Sequence, residues 1–422
     1  MSLQRAGNGT GDPASQLEAI RERTLELTAA VSDADLERQI DPIMSPLVWD
    51  IAHIAAYEDL WLVHRGGGMP LLHPELAALY DAFETPRAVR GEIEQLNAPQ
   101  AREYLAEVRA RALDVSSEKG FDDEIFEMVA RHELQHRETI CQTLALAQLG
   151  GFEPSFRQDL PLAPGHLSGL DFVRVSGGQR PIGAGDDGFS YDNERPQRTL
   201  PVEPFELGRA TVTNADWLEF VDDGGYRESA YWSDEGWNWV VSNQISAPLY
   251  WDLSDPGQPL ERTSCGPRQL DPDRPAAHVS WFEADAFARS RGARLPTEIE
   301  WEAAASWSGG APNDPLHANV DQIAFDTSPV GAYPDGASDC GAFDLIGNLW
   351  EWTADEFDGY PGFKAHPYPE YSEVFFGCGY RVLRGGSWAT CGRVATPSFR
   401  NWDLPQRRQI FSGVRLARDV KR

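Results

Sequence analysis

The feature that most constrains this fold is a change of texture near residue 150. Upstream, apolar residues recur at helical spacing. Downstream, the chain turns to Gly, Pro, Asp and Trp among short strand-like runs. These two patterns read as a helical domain followed by a mixed, loop-rich one, an α+β chain. Its 422 residues suit two or three domains. The expected divisions are a disordered tail over 1–13, a helical bundle over 14–150, a Pro/Gly/Ser linker over 151–170 and a second domain over 171–422.

Four helices are predicted in the first part. One runs from Ser15 to Val31, with Leu17, Ile20, Leu25 and Leu27 among its apolar positions. A second opens at Ser45-Pro46, a cap followed by Pro at the first helical position, and continues through LVWDIAHIAAYEDLWLVHR. It is apolar on most sides, so it is expected to be buried. A third spans Pro99 to Val115, and a fourth starts after Asp122-Asp123 and ends at Gly150-Gly151. Loops between four long helices suggest an up-and-down four-helix bundle. In the second part, TVTNADWLEFVDD reads as a helix capped by Thr213 or Asn214, and VSWFEADAFARSRG as one ending at Gly292.

The formal net charge of −29 repels phosphate backbones and argues against nucleic acid as a partner. No run of about 18 apolar residues exists to span a membrane, and the first residues, MSLQRAGNGTGDP, lack the apolar core of a secretion signal. Five cysteines, an odd number without a CxxC, read as reduced thiols of a cytoplasmic protein.

Chemistry concentrates in RHELQHRET. His132 and His136 are four apart on a helix, so they share one face, and Ile125, Val129 and Ile140 on that face turn it inward. Two inward imidazoles at this spacing can chelate a metal or can be hydrogen-bonded core histidines. His53, mid-way along the buried second helix, is the best candidate for a third ligand. Three imidazoles with open positions suit Fe(II), Zn(II) or Cu(II). The same letters also spell HExxH, the zinc-protease motif in which Glu133 would be the general base.

Four segments of the second part, ARLPTEIEWEAAA, GNLWEWTAD, YRVLRGGSW and GVRLARD, resemble the formylglycine-generating-enzyme domain, a C-type-lectin-like scaffold, over about residues 171–419. The HxxxH pair with its upstream His resembles the DinB-type metal-binding bundle. The fusion of the two resembles the EgtB family, the iron-dependent sulfoxide synthases of ergothioneine biosynthesis. One departure bears on chemistry. Formylglycine-generating enzymes carry a copper-binding cysteine pair just after RGGSW, whereas here Cys391 stands without a cysteine five residues on.

The resemblance implies Fe(II) held by His53, His132 and His136, with Gln135 facing a betaine substrate, hercynine. It implies that Asn401 and Trp402 of SFRNWDLPQRRQIF hold that substrate, an aromatic face suiting a quaternary ammonium. It places a second substrate, γ-glutamylcysteine, on Arg87 and Arg90 of ETPRAVRGE and on Asp403 and Arg407. Dioxygen is the third. Of the neighbouring Tyr368 and Tyr371, the resemblance favours Tyr368 as the proton donor and leaves Tyr371 beside the substrate. Free cysteine or a selenium donor, a zinc hydrolase or thiol transferase, and a non-catalytic lectin-like binding protein are the competing readings.

Overall fold

The computed structural model describes residues 11–149, 154, 157–162 and 165–420. These fall into two compact units, one up to residue 155 together with Ser264–Gly266, the other made of 156–263 and 267 onward. Each is described by itself. Among the described residues no helix is long and apolar enough to cross a membrane, and none of the five cysteines is in a disulfide.

The first unit is built on α1 (Pro13–Ala29), α2 (Asp33–Glu37), α3 (Leu47–Glu58), α4 (Pro74–Leu79), α5 (Ala98–Lys119) and α6 (Asp123–Ala147). Caps set most of the starts. Asp12 accepts from the Ser15 amide at 3.2 Å, so α1 opens two residues earlier than predicted and takes in the end of the expected tail; residues 1–10 of that tail lie outside the described residues. Asn97 and Gln100 form a capping box for α5. Asp122 caps α6 as its sequence suggested. Gln148, at φ 48°, ends α6, and the predicted Gly150-Gly151 stop lies outside the described residues.

At α3 the prediction needs correction. Pro46 is the cap residue and the helix starts at Leu47. The Ser45 hydroxyl accepts from Arg90 Nη1 at 2.7 Å instead of capping. Every residue of α3 except Tyr57 is buried, as its all-round apolar text implied. The helix then runs on as a π-helical segment over Asp59–Gly66.

A second correction concerns neighbours. The packed pairs are α1 with α6, α6 with α3, α3 with α5, and α5 with α1. Of the long helices consecutive in the chain, α3 and α5 pack closely, but α1 and α3, and α5 and α6, do not, unlike a simple up-and-down order. The connection 30–46, which contains α2, is long enough to cross an end of the bundle.

Each long helix contributes one charge to a buried quartet. Arg21 of α1 donates to Glu133 of α6 at 2.8 Å and to Glu58 of α3 at 2.6 Å. Arg109 of α5 donates to Glu58 at 2.7 and 2.8 Å and to Glu133 at 3.3 Å. All four residues are buried. Two positive and two negative charges cancel, and each carboxylate is hydrogen-bonded by both guanidinium groups, which is the condition under which buried ions are tolerated.

The second unit holds small sheets among long loops. Its strands are β1 (Phe172–Val175), β2 (Gly178–Ile182), β3 (Arg198–Val202), β4 (Phe205–Gly208), β5 (Trp251–Asp252), β6 (Leu260–Thr263), β7 (Gly266–Gln269), β8 (Trp350–Glu356), β9 (Arg381–Arg384), β10 (Asn401–Asp403), β11 (Ser412–Gly413) and β12 (Ala417–Asp419). The sheet orders are β1-β4-β12, β2-β3, β5-β6-β7 and β10-β9-β8-β11. Helix Asn214–Asp222 starts at a Thr213 capping box, and helix Trp281–Ser290 is followed by Gly292 at φ 63°, both as predicted.

The quoted sequence motifs of this unit meet in its core as ion pairs. Arg415 grips Glu351 with two bonds, at 2.8 and 2.6 Å, and the Trp301 indole donates to the same carboxylate at 2.7 Å. Arg384 pairs with Glu302 at 2.6 Å and Arg400 with Glu298 at 2.8 Å. These buried pairs hold β8, β9 and the start of β10 against the helix Glu298–Ala304.

Removing one member of the bundle quartet strands its partners. Arg21→Met is expected to destabilise the bundle by about 3–5 kcal/mol. The double variant Arg21→Met with Glu133→Leu, which leaves a matched Arg109–Glu58 pair, should lose less. Burial pushes the Glu133 carboxyl up, but Arg21 and Arg109 outweigh it and hold it at about 2. A depressed carboxyl stabilises the fold above its unfolded pKa, so this contribution is expected in full above pH ~4.5 and lost as pH falls toward about 2. Urea denaturation of the three proteins, repeated across that pH range, checks both statements.

Candidate functional site

Because α3 is buried almost throughout and packs on α6, side chains of the two helices meet along their shared face. His53 of α3 and His132 and His136 of α6 converge there. One ligand-capable atom of each lies within 4.8 Å of the others, and among the described residues this is the group of His, Cys, Asp or Glu that can hold an ion. Nε2 of His53 is 3.1 Å from Nε2 of His132. That spacing suits two nitrogens sharing one metal at roughly 2.1 Å and near a right angle, and it also suits a hydrogen bond between the rings.

The surroundings prepare the imidazoles as ligands. Nδ1–H of His53 donates to the Tyr80 carbonyl at 2.6 Å, so its other nitrogen presents a lone pair. The Asp50 carboxylate, itself buried, stands 3.4 Å from Nδ1 of His136. Trp49 stacks on His53 at 4.8 Å and 15°, and Tyr57 stacks on His132 at 3.7 Å and 11°. Burial, and then the nearby His136, hold His53 well below the ordinary imidazole range. Burial does the same for His132, with His136 and His53 adding to it. Neutral imidazoles are what a cation requires, so the residues present fit a bound metal.

Gln135 lies on α6 between the two chelating histidines, half-buried. Arg87 is exposed at the start of a 3-10 turn, Arg87–Val89. Arg90 is buried. It donates to Thr85 O at 2.9 Å, Ser45 Oγ at 2.7 Å and Ala82 O at 3.1 Å, which occupies three of its five N–H groups.

In the second unit, β10 carries Asn401, Trp402 and Asp403, paired with Leu383, Val382 and Arg381 of β9. Trp402 stacks on Phe357 at 4.1 Å and 8°, and meets Tyr371 edge-on at 5.9 Å and Phe375 at 5.5 Å. Tyr371 in turn stacks on Tyr191 at 4.3 Å and 9°. Tyr368 stands at 6.4 Å and 87° to Tyr371. Arg407 Nε is 3.6 Å from Asp403 Oδ1. Phe357 and Tyr191 are buried and Trp402, Tyr368, Tyr371, Phe375, Asp403 and Arg407 half-buried, an aromatic wall with one ion pair beside it.

The model of the sulfatase-modifying factor enzyme 1-like domain matches residues 162–420, and that of the DinB superfamily matches residues 16–140. A hercynine oxygenase of Mycolicibacterium thermoresistibile is 45% identical over 97% of this chain and 95% of its own. One from Mycobacterium tuberculosis is 45% identical over 96% of this chain and 98% of its own. The chain belongs to the hercynine oxygenase family. A formylglycine-generating enzyme of Thermomonospora curvata is 29% identical over 63% of this chain and 99% of its own, which limits that likeness to part of the chain.

Membership agrees with the fate of Glu133. The zinc-protease reading needs a free carboxylate to act as base, and here two arginines hold Glu133 ionised in the quartet. Sequence reasoning missed Trp49, Asp50, Tyr57 and Tyr80. A signal for Asp50 was present, since a carboxylate three residues before His53 in an otherwise apolar helix needs a partner. Nothing local marks the Tyr80 carbonyl.

Replacing His53, His132 or His136 by Ala is expected to cut bound metal sharply, measured by metal analysis after reconstitution and desalting. If His53→Ala retains the parent's metal content, the three-imidazole site is wrong.

Proposed function

We propose that this chain joins hercynine to γ-glutamylcysteine with dioxygen, forming a bond between the imidazole C2 and sulfur and leaving a sulfoxide, as a step of ergothioneine biosynthesis in the cytoplasm. The observation that carries the reading is a three-imidazole site, with His53 buried and His132 and His136 half-buried, in a chain 45% identical to a hercynine oxygenase over nearly its full length. The balance is one O2 reduced by four electrons: the C2–H and S–H bonds are lost, one oxygen goes to sulfur and the other leaves as water. Bound by the three imidazoles, Fe(II) supplies the redox chemistry with dioxygen and thiolate that no side chain can provide.

The protein's own residues have distinct tasks in this reading. His53, His132 and His136 would hold the ion, with the Tyr80 carbonyl accepting from Nδ1–H of His53 and the Asp50 carboxylate 3.4 Å from Nδ1 of His136. Gln135, beside two of the ligands, hydrogen-bonds the betaine. Asn401 and Trp402 hold hercynine, and the ring wall of Trp402, Phe357, Tyr371 and Phe375 suits a trimethylammonium, which has no N–H to donate. Arg87 and the remaining N–H groups of Arg90 bind carboxylate, while Asp403 and Arg407 take the ammonium and carboxylate of the γ-glutamyl end. Tyr371, with its ring fixed between Tyr191 and Trp402, forms wall; Tyr368 beside it gives the proton.

The function is tested by loading Fe(II) anaerobically, adding hercynine and γ-glutamylcysteine, then admitting air. The expected product mass is the two substrates plus one oxygen less two hydrogens. Arg87→Ala and Asp403→Ala should each raise KM for the thiol by about ten-fold, with hercynine KM unchanged. Unaltered thiol KM in both, or equal turnover of free cysteine or a selenium analogue by the parent, overturns the γ-glutamyl assignment. Loading with Zn(II) should give no product.

Tyr368→Phe removes only a hydroxyl. Sulfoxide formation is expected to fall by about 10²–10⁴, while oxidation of the thiol to its sulfinate persists. The ratio of the two products under saturating substrates decides. A ratio that drops in Tyr371→Phe and not in Tyr368→Phe reverses the two roles.

A further inference from the structure

Arg90, whose remaining N–H groups the reading above gives to the thiol, is also engaged inside the bundle. Its guanidinium carbon lies 3.4 Å from the centroid of Trp49. The same indole stacks on the metal-ligand candidate His53, 4.8 Å away and 15° from parallel. Arg90 also ties down the stretch that follows Tyr80. It donates to Ala82 O and Thr85 O, and Thr85 Oγ1 donates to Leu79 O at 2.9 Å. Tyr80 is buried, its hydroxyl accepts from the Leu96 amide at 2.8 Å, and its carbonyl takes Nδ1–H of His53.

His53 is therefore held from two directions by one segment. Its ring plane is set by Trp49, which Arg90 clamps. Its tautomer is set by the Tyr80 carbonyl, whose position depends on the turn that Arg90 closes. We propose that Arg90 and Trp49 are positioning residues of the metal centre, fixing the plane and tautomer of His53 so that its Nε2 faces the ion. The guanidinium carbon sits 3.4 Å from the indole centroid while its planar fork reaches three oxygens, a geometry that the compact ammonium of lysine does not reproduce. Outer-shell partners of a ligating histidine commonly affect metal affinity by 10–100-fold.

The inference rests on the three-histidine site of the reading above and on none of the substrates, and its test uses none. Co(II) affinity of the substrate-free protein is measured by competition with a chelator, together with the visible Co(II) absorption spectrum, far-UV circular dichroism and a urea melt. Arg90→Lys and Trp49→Leu are expected to bind Co(II) at least about ten-fold more weakly, with an altered visible band. Trp49→Phe, which restores a ring face, should stay within about three-fold of the parent. Glu84→Gln, an exposed position in the same segment and outside the stack, should bind as the parent does. His53→Ala, which should lose the ion altogether, separates a failure of this inference from a failure of the metal site itself. Parent affinity in folded Arg90→Lys and Trp49→Leu overturns the proposal, as does an equal loss in Glu84→Gln. Should Arg90→Lys fail to fold, the contrast between Trp49→Leu and Trp49→Phe decides alone, and equal affinities there overturn it.

Discussion

The quartet of Arg21, Glu58, Arg109 and Glu133 is the interaction on which the helical unit depends. Four ions in an apolar interior are tolerated only when every charge meets its opposite in good geometry. Each of the four long helices contributes one, so a slip or rotation of any helix would leave a buried charge unmatched. An apolar core of similar volume could fill the same space, but many packings would satisfy it about equally. The quartet selects one register and one rotation for each helix.

The metal site inherits that choice. Glu133 is the residue after His132, and Glu58 lies five residues after His53 on the same helix. With the carboxylates drawn to the arginines, the histidines on the neighbouring positions are turned toward each other. The tolerance for metal ligands is a few tenths of an ångström, tighter than side-chain packing alone provides. Burial then holds His53 and His132 well below the ordinary imidazole range, the Tyr80 carbonyl accepts from Nδ1–H of His53, and the Asp50 carboxylate stands beside His136. The same low-polarity interior that makes the quartet demanding makes the imidazoles good ligands.

The second unit solves the same problem differently. It has little regular structure, and its sheets hold at most four strands. Its core is held by buried Arg–Glu pairs between segments far apart in the chain, Arg415 with Glu351, Arg384 with Glu302 and Arg400 with Glu298. Arg400 is the residue before Asn401, so the pairing that closes the core also delivers Trp402 to its aromatic neighbours. The motifs that most mark the sequence as a family member are thus framework, and the residues proposed to meet substrate sit at their ends.

By itself the sequence determined whatever depends on near neighbours in the chain. Helical periodicity, the caps at Asp122 and Thr213, the glycine after the helix at Trp281–Ser290 and the inward pairing of His132 with His136 are all set within a turn or two. The third histidine was legible because a polar residue in an all-apolar helix has few other uses. Only the tertiary structure decided which helices touch, that Glu133 serves two arginines and not a catalytic water, that Ser45 receives Arg90 instead of capping a helix, and that Tyr371 is clasped between Tyr191 and Trp402. The physical reason is distance along the chain. Arg21 and Glu133 are 112 positions apart, and charge has no periodicity that names its partner; only the packed arrangement, by excluding water from some pairs and not others, makes one pairing far more stable than the rest.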